Sequence, residues 1–311
     1  MKLYILDGES YYGREYNLRL LDPASYILDP RFELIGIAVK ELGITAYWIE
    51  GPDVPGFFAD LDPDDIMTVS HNALFDNCIW SYRYGFVPRL MVDTLGVSRA
   101  VLSLKSNSLA SVAQHLGLGA KGKESHQAIG MRLADLKAKP DFYQAYVNYA
   151  LNDATLCEGI FNKLVRTGRF PYEELYIQDL VLRCAVTPTL RANVPMLQHQ
   201  LEDLRKRKQL LLTECGYDRA ALMSTAQFCE VLESLGVTVK TKISKKGRVI
   251  PAIAKMDDFM AELTEYQEAD DDTNFRVRTL VNARLAIRSA IEETRSVKFV
   301  AVASLQWSNG Q

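Results

Sequence analysis

Three acidic motifs stand in order along the first half of this 311-residue chain: Asp7-Gly8-Glu9 closing an apolar run, Asn72 to Asp76 in SHNALFD, and Tyr149 to Asp153 in NYALND. Four carboxylates gathered at one point with a tyrosine beside them suit two-metal hydrolysis of a phosphodiester. The ions take oxygen ligands, and the attacking water needs a positioned partner. Asp7 and Glu9 are separated by one residue, so on a strand both side chains leave the same face. A surface turn can carry the same letters, but these carboxylates end an apolar run, where they would sit poorly against a core. Asp76 has two readings of equal weight. Either Asn72 leaves a strand and Asp76 opens the next helix beside the first pair, or Asn72 caps that helix and Asp76 only favours its positive N-terminus. Tyr149 and Asp153 lie one helical turn apart and share a face, a pattern also common on the polar side of amphipathic helices.

The elements that must hold these residues are readable from periodicity. LYILDGE, FELIGIAVKE, TAYWIE and MTVSHNA read as strands, and a helical pattern runs from about Asn107 to Gly168 and Pro171. This predicts an α/β fold, a mixed sheet flanked by helices. Beyond it almost nothing reads as strand. Helical segments include LYIQDLVLRCAVTPTLRANV, MLQHQLEDLRKRKQLLLTEC and AQFCEVLESLG, the last starting after Ser224 and ending at Gly236. A basic loop follows, then one long helix through RVRTLVNARLAIRSAIEETR, with Asp270, Asp271 and Asp272 read as a solvated loop. Pro188 and Pro195 mark breaks, which places a boundary between Gly168 and Pro195 and divides the chain into residues 1–185 and a mainly helical 186–311.

Composition bounds the answer more loosely. At 48% hydrophobic content the chain can bury two cores, and its apolar runs are too short to cross a bilayer. No basic and apolar leader follows Met1, so the expectation is a soluble, unprocessed, intracellular protein. Cys78, Cys157, Cys184, Cys215 and Cys229 stand far apart, which fits reduced thiols rather than a disulfide frame or a zinc site. A net charge of −3 does not announce a nucleic-acid partner, but the charge is unevenly spread. Between Gly236 and Lys255 stand Lys240, Lys242, Lys245, Lys246, Arg248 and Lys255 with no acid among them, either a solvated loop or a stretch that tracks phosphates. Lys121, Lys123 and the run Arg205 to Lys208 are weaker candidates of the same kind.

LDGE, HNALFD and YALND resemble the three motifs of the DEDDy class of 3′→5′ exonucleases, found in family A DNA polymerases and in RNase D relatives. VDTLGVSRA and NSLASVAQHLGLGAKGKE resemble the same domain in bacteriophage polymerases, and STAQFCEVLESLGVTVKTKISKKGRVIPAIAKMDDF with VNARLAIRSAIEETR resembles a family A thumb. The resemblance implies an RNase H-like exonuclease domain followed by a thumb-like domain. No segment resembles the palm or fingers, so the reading is a split or truncated polymerase that does not polymerise alone and pairs with a separate palm and fingers polypeptide.

On that resemblance Asp7, Glu9, Asp76 and Asp153 would hold two Mg²⁺ ions, with Mn²⁺ able to substitute, around a terminal phosphate. Tyr149 would orient the water, assisted by Glu9. Asn72 and Phe75 would lie near the terminal nucleotide, Phe75 mainly as packing, while His71 is structural. The implied partners are single-stranded DNA 3′ ends and primer-template duplex, the latter met by Lys240, Lys242, Lys245, Lys246 and Arg248, and the implied location is the cytoplasm of a bacterial host. Two alternatives stand beside this. An RNase D-like RNA 3′-end exonuclease would share the acidic site but carry a small helical RNA-binding domain, and a silent polymerase accessory subunit would have lost a carboxylate.

Overall fold

The computed structural model describes residues 1–122 and 124–305. The chain divides into two compact units at Leu190/Arg191, with Leu305 grouped with the first. Lys123 lies outside the described residues.

The first unit is built on a five-stranded sheet of β1 (Lys2–Ser10), β2 (Leu34–Glu41), β3 (Tyr47–Glu50), β4 (Ile66–Ser70) and β5 (Leu90–Asp93) in the order β3-β2-β1-β4-β5. β1 is parallel to β4, and β4 to β5, while β2 is antiparallel to both β1 and β3. That order and polarity make an RNase H-like sheet with β1 at its centre. β1 owes its place to its sequence: Ile5 packs on one face of the sheet, Tyr4 and Leu6 on the other.

Helices cover both faces. In chain order they are α1 (Pro23–Leu28), α2 (Val54–Ala59), α3 (Ala73–Tyr84), α4 (Thr94–Val101), α5 (Leu109–His115), α6 (Glu124–Gln127), α7 (Leu133–Lys137), α8 (Pro140–Phe161) and α9 (Glu174–Val186). α8 lies on the Ile5 face, where Ala150, Ala154, Cys157 and Ile160 recur at helical spacing and meet Val69 and Val92. α3 and the C-terminal end of α9 cover the Tyr4 and Leu6 face through Ile79, Trp80, Leu182 and Val186. The expected strands are present, β2 and β3 within their runs and β1 and β4 overlapping theirs. β5 is an additional strand from LMVD, whose four residues are too few to show a period.

The second unit is α10 (Val194–Cys215), α11 (Arg219–Met223), α12 (Thr225–Ser234), α13 (Asp258–Thr264), α14 (Asp271–Arg288) and α15 (Ile291–Ala303) around Phe228, Leu232, Phe259, Met260, Leu280 and Val281. Three expectations are corrected here. The basic loop is a hairpin of β6 (Thr241–Ile243) and β7 (Val249–Pro251), closed by a turn in which Gly247 takes φ +74°. The last helix is two, because the backbone leaves helical geometry at Ser289. The Asp270 cluster is not a loop: the Asp270 carboxylate accepts the Thr273 N–H and caps α14, with Asp271 and Asp272 in its first turn.

Candidate metal centre

Strand alternation decides which side of the sheet each acid occupies. Asp7 and Glu9 share parity with Ile5 and therefore leave β1 on the α8 face, just past the core. Tyr149 and Asp153 meet them from α8. Both are buried, in register with the stripe of Tyr146, Ala150, Ala154 and Cys157 that packs on the sheet, and not on an exposed polar face. The helix thus carries one buried stripe whose lower part is apolar and whose upper part is acidic and phenolic. One carboxylate oxygen from each of Asp7, Glu9 and Asp153 lies within 4.8 Å of the others. A cation with ligand distances of roughly 2.0 to 2.6 Å can bridge such a span after small side-chain adjustment, and an all-oxygen donor set selects a hard ion.

Asp76 reaches the same place from the opposite face. It lies in the first turn of α3, buried, and its Oδ1 accepts the Gly8 N–H at 3.0 Å. Gly8 is required between the two acids of β1. A Cβ there would stand 3.0 Å from the Trp80 ring and 3.2 Å from Asp76 Oδ1, closer than side chains comfortably pack. Asp76 stands beside the triad of Asp7, Glu9 and Asp153, with one oxygen already engaged by the backbone.

Asn72 does not cap α3 with its side chain. Its backbone is left-handed, φ 75° and ψ 47°, a conformation asparagine tolerates better than most residues. Asp93, at the end of β5, performs the capping: its Oδ1 accepts the N–H groups of Asn72 at 2.8 Å and Ala73 at 3.2 Å, and caps α4 through Leu95 N–H at 3.0 Å. The Asn72 residue is left exposed, four residues before Asp76. Phe75 packs against Tyr26, ring centroids 5.8 Å apart. Both ring nitrogens of His71 are engaged, with Thr94 Oγ1 and the Asn107 carbonyl, each at 2.9 Å.

Like charges held out of water shift their own titration. Burial, then Asp153, pushes the Asp7 carboxyl up to about 7, against the opposing pull of Lys121. Burial, then Asp7, pushes Glu9 up to about 8, although the Tyr146 hydroxyl works the other way. Asp76 is also raised well above the usual carboxylate range, by burial and then by Asp7. A divalent cation relieves this crowding.

Two residues complete the site without a signal in the motifs. The Tyr146 hydroxyl, on a ring 1% exposed, donates to Glu9 Oε2 at 3.0 Å. Its place three residues before Tyr149 puts it in the same buried stripe, which is the sequence signal that could have found it. Lys121, a weaker phosphate candidate in the sequence, forms an ion pair with Asp153 Oδ2, its ammonium 5.0 Å from the centre of the Tyr149 ring.

In the second unit the basic residues separate into two groups. Lys240 pairs with Glu262 and Lys242 with Asp257, tying the hairpin to α13 and its cap. Lys245, Lys246 and Arg248 are exposed at and beside the turn. Acids of the following segment thus fold back onto Lys240 and Lys242, and among the described residues no such ion pair ties Lys245, Lys246 or Arg248.

No protein-family model matches the chain, and no curated protein matches it. Similar solved structures include one described as the apo form of the nuclease, at 17% identity and a TM-score of 0.43, covering 59% of this chain and 82% of that one. Brucella melitensis NrnC matches at 17% identity and a TM-score of 0.42 over 59% of this chain and 83% of that one. A structure of Brucella melitensis NrnC with bound Mg²⁺ matches at 16% and 0.39 over the same shares. Likenesses this distant fix no activity, substrate or metal for this chain, and none of the three is described as a polymerase. The polymerase resemblance is a reading of the sequence motifs.

Among the described residues no helix is long and apolar enough to cross a membrane.

Proposed function

We propose that this chain is a metal-dependent 3′→5′ exonuclease that removes terminal nucleotides from single-stranded ends. The observation that carries the reading is the convergence of Asp7, Glu9 and Asp153, with Asp76 alongside and the buried Tyr149 beside them, at one edge of the central strand. Crowding four acids, two buried and two half-buried, with too few cations costs stability unless the cluster binds something positive. Two Mg²⁺ ions, with Mn²⁺ able to replace them, would supply an activated water and charge compensation for the leaving 3′-oxygen.

The chain's own residues do the rest. Tyr149 positions the attacking water through its hydroxyl, since a phenol is a poor base near neutrality. Glu9, steadied by Tyr146, supports the same water. The exposed Asn72 side chain meets the terminal nucleotide, and Phe75 backs it as packing. Lys245, Lys246 and Arg248 hold the backbone of a longer strand or duplex.

DNA is the strand that the motif resemblance implies, and a palm and fingers polypeptide is the partner it implies. The test is digestion of 5′-labelled single strands of one sequence, as DNA and as RNA, with Mg²⁺ and with EDTA. Ladders shortening from the 3′ end only with metal, faster on DNA and on frayed ends than on matched duplex, are expected. Faster removal from RNA would transfer the reading to RNA 3′-end processing, and release of the 5′ label as a mononucleotide with no ladder would reject both.

A further inference from the structure

The loop after α5 delivers a lysine to the acidic centre, and it is built to do so. Gly117 and Gly119, at φ +65° and +129°, turn the chain back across α8. Leu118 then seats on α8 at Gly159, where a Cβ would stand 2.9 Å from its methyl group. Asn152 Nδ2 donates to the Ala120 carbonyl at 3.1 Å, pinning the residue just before Lys121. Asn152 also adjoins Asp153 in the chain, so the helix that supplies the carboxylate anchors the loop that supplies the ammonium.

The Lys121 ammonium therefore occupies a defined place. It lies on Asp153 Oδ2, beside the Tyr149 ring, with its side chain 29% exposed and that of Asp153 2% exposed. Asp153 is one of the three residues whose oxygens converge for a cation. An ammonium and a metal ion on one carboxylate would stand two positive charges close together, so the two compete for Asp153.

On the exonuclease reading, we infer that Lys121 is a further member of the reaction machinery: it competes with the metal for Asp153, loosens its hold on that carboxylate when the metal binds, and then meets a non-bridging oxygen of the scissile phosphate beside Tyr149. The pinned loop keeps the displaced ammonium within the site, and the phosphate is the anion that arrives as Asp153 is taken. A cation held there compensates the charge that builds on the phosphoryl oxygens during displacement. Lys121 thus differs from the hairpin lysines, which hold the strand and leave the chemistry alone.

The test compares wild type with Lys121→Met, which keeps the apolar stem and removes the charge, and with Lys121→Arg. Mn²⁺ binding is measured by electron paramagnetic resonance without substrate, and single-turnover cleavage of a single strand is measured at saturating metal. Lys121→Met should bind Mn²⁺ several-fold more tightly, yet cleave at least about tenfold more slowly. Lys121→Arg should recover part of the rate. A lysine that only braces the loop would, when removed, loosen metal binding and slow cleavage together. Unchanged or weaker Mn²⁺ binding, or an unchanged rate, overturns the inference. If wild type cleaves and Asp7→Ala does not, such a result removes Lys121 from the machinery and leaves the exonuclease reading standing. If wild type cleaves nothing, the exonuclease reading itself fails and takes the inference with it.

Discussion

Tyr146 donates its hydroxyl to Glu9 Oε2 across 3.0 Å, from a ring packed among Ile35, Ala128 and Leu136. The bond ties an acid at the end of β1 to the middle of α8, so the carboxylate's direction is set by core packing. Without the hydroxyl, Glu9 is free to swing towards solvent or towards Asp7. Tyr146→Phe should therefore fold as wild type while losing roughly 10- to 100-fold in metal affinity or cleavage rate, the usual cost of removing the partner that orients a ligand. A Mn²⁺ titration followed by cleavage at saturating metal separates the two effects, and wild-type values in both would show that Glu9 needs no such support.

Tyr149 plays a different part on the exonuclease reading, in which its hydroxyl positions the attacking water and orients no metal ligand. Tyr149→Phe should bind metal and single strands normally and cut on the order of 100-fold more slowly in single turnover. An unchanged rate would reduce Tyr149 to packing against Ala150 and its neighbours.

The raised carboxyls make stability depend on pH with a definite sign. Asp7 and Glu9 are lifted from ordinary values of 3.8 and 4.5 to about 7 and about 8, so the folded chain holds protons that the unfolded chain has released. Stability then falls as pH rises. In EDTA the melting temperature should drop progressively between about pH 4 and pH 8, through those two values. Saturating Mg²⁺, or Asp7→Asn, should flatten the slope. A melting temperature that rises across this window in EDTA would mean the acids are not crowded.

The hairpin offers a test of strand binding apart from chemistry. Replacing Lys245, Lys246 and Arg248 with alanine should weaken binding to primer-template DNA and reduce its salt dependence by up to about 0.9 log unit per lost phosphate contact. Cleavage of a short single strand should change little. Lys240→Ala and Lys242→Ala should instead lower the melting temperature, since they sever the ties to Glu262 and Asp257. Equal effects of all five on binding would undo that division.

Much of the fold was legible because period and burial agree. β1 announces itself by an apolar run ending in acids, and α8 by apolar residues at three and four. What escaped has physical causes. LMVD is too short to show a period, and Ile243 and Val249 pair across a hairpin too exposed to look like a core strand. The break at Ser289 carries no proline or glycine to mark it. At the site, the four acids and Tyr149 could be named from their spacing, but their directions could not. That Asp76 comes round the end of β1 depends on the bareness of Gly8 under Trp80. That Lys121 lands on Asp153 depends on two glycines and a leucine docking a loop on α8, a contact 32 residues apart in sequence. Lysine and aspartate so far separated give no pattern to read.

The most direct test of the acidic centre is single-turnover digestion of a 5′-labelled single-stranded oligonucleotide by wild type, Asp7→Ala and Asp153→Ala at saturating Mg²⁺, alongside their melting curves without metal. Wild type should shorten the strand from its 3′ end. Both variants should leave it intact; Asp7→Ala should melt at or above the wild-type temperature, because it removes one charge from a crowded set, whereas Asp153→Ala should melt lower, because it leaves Lys121 without its partner. Wild-type digestion by either variant, with metal saturating, would contradict the assignment of these carboxylates to a nuclease metal centre.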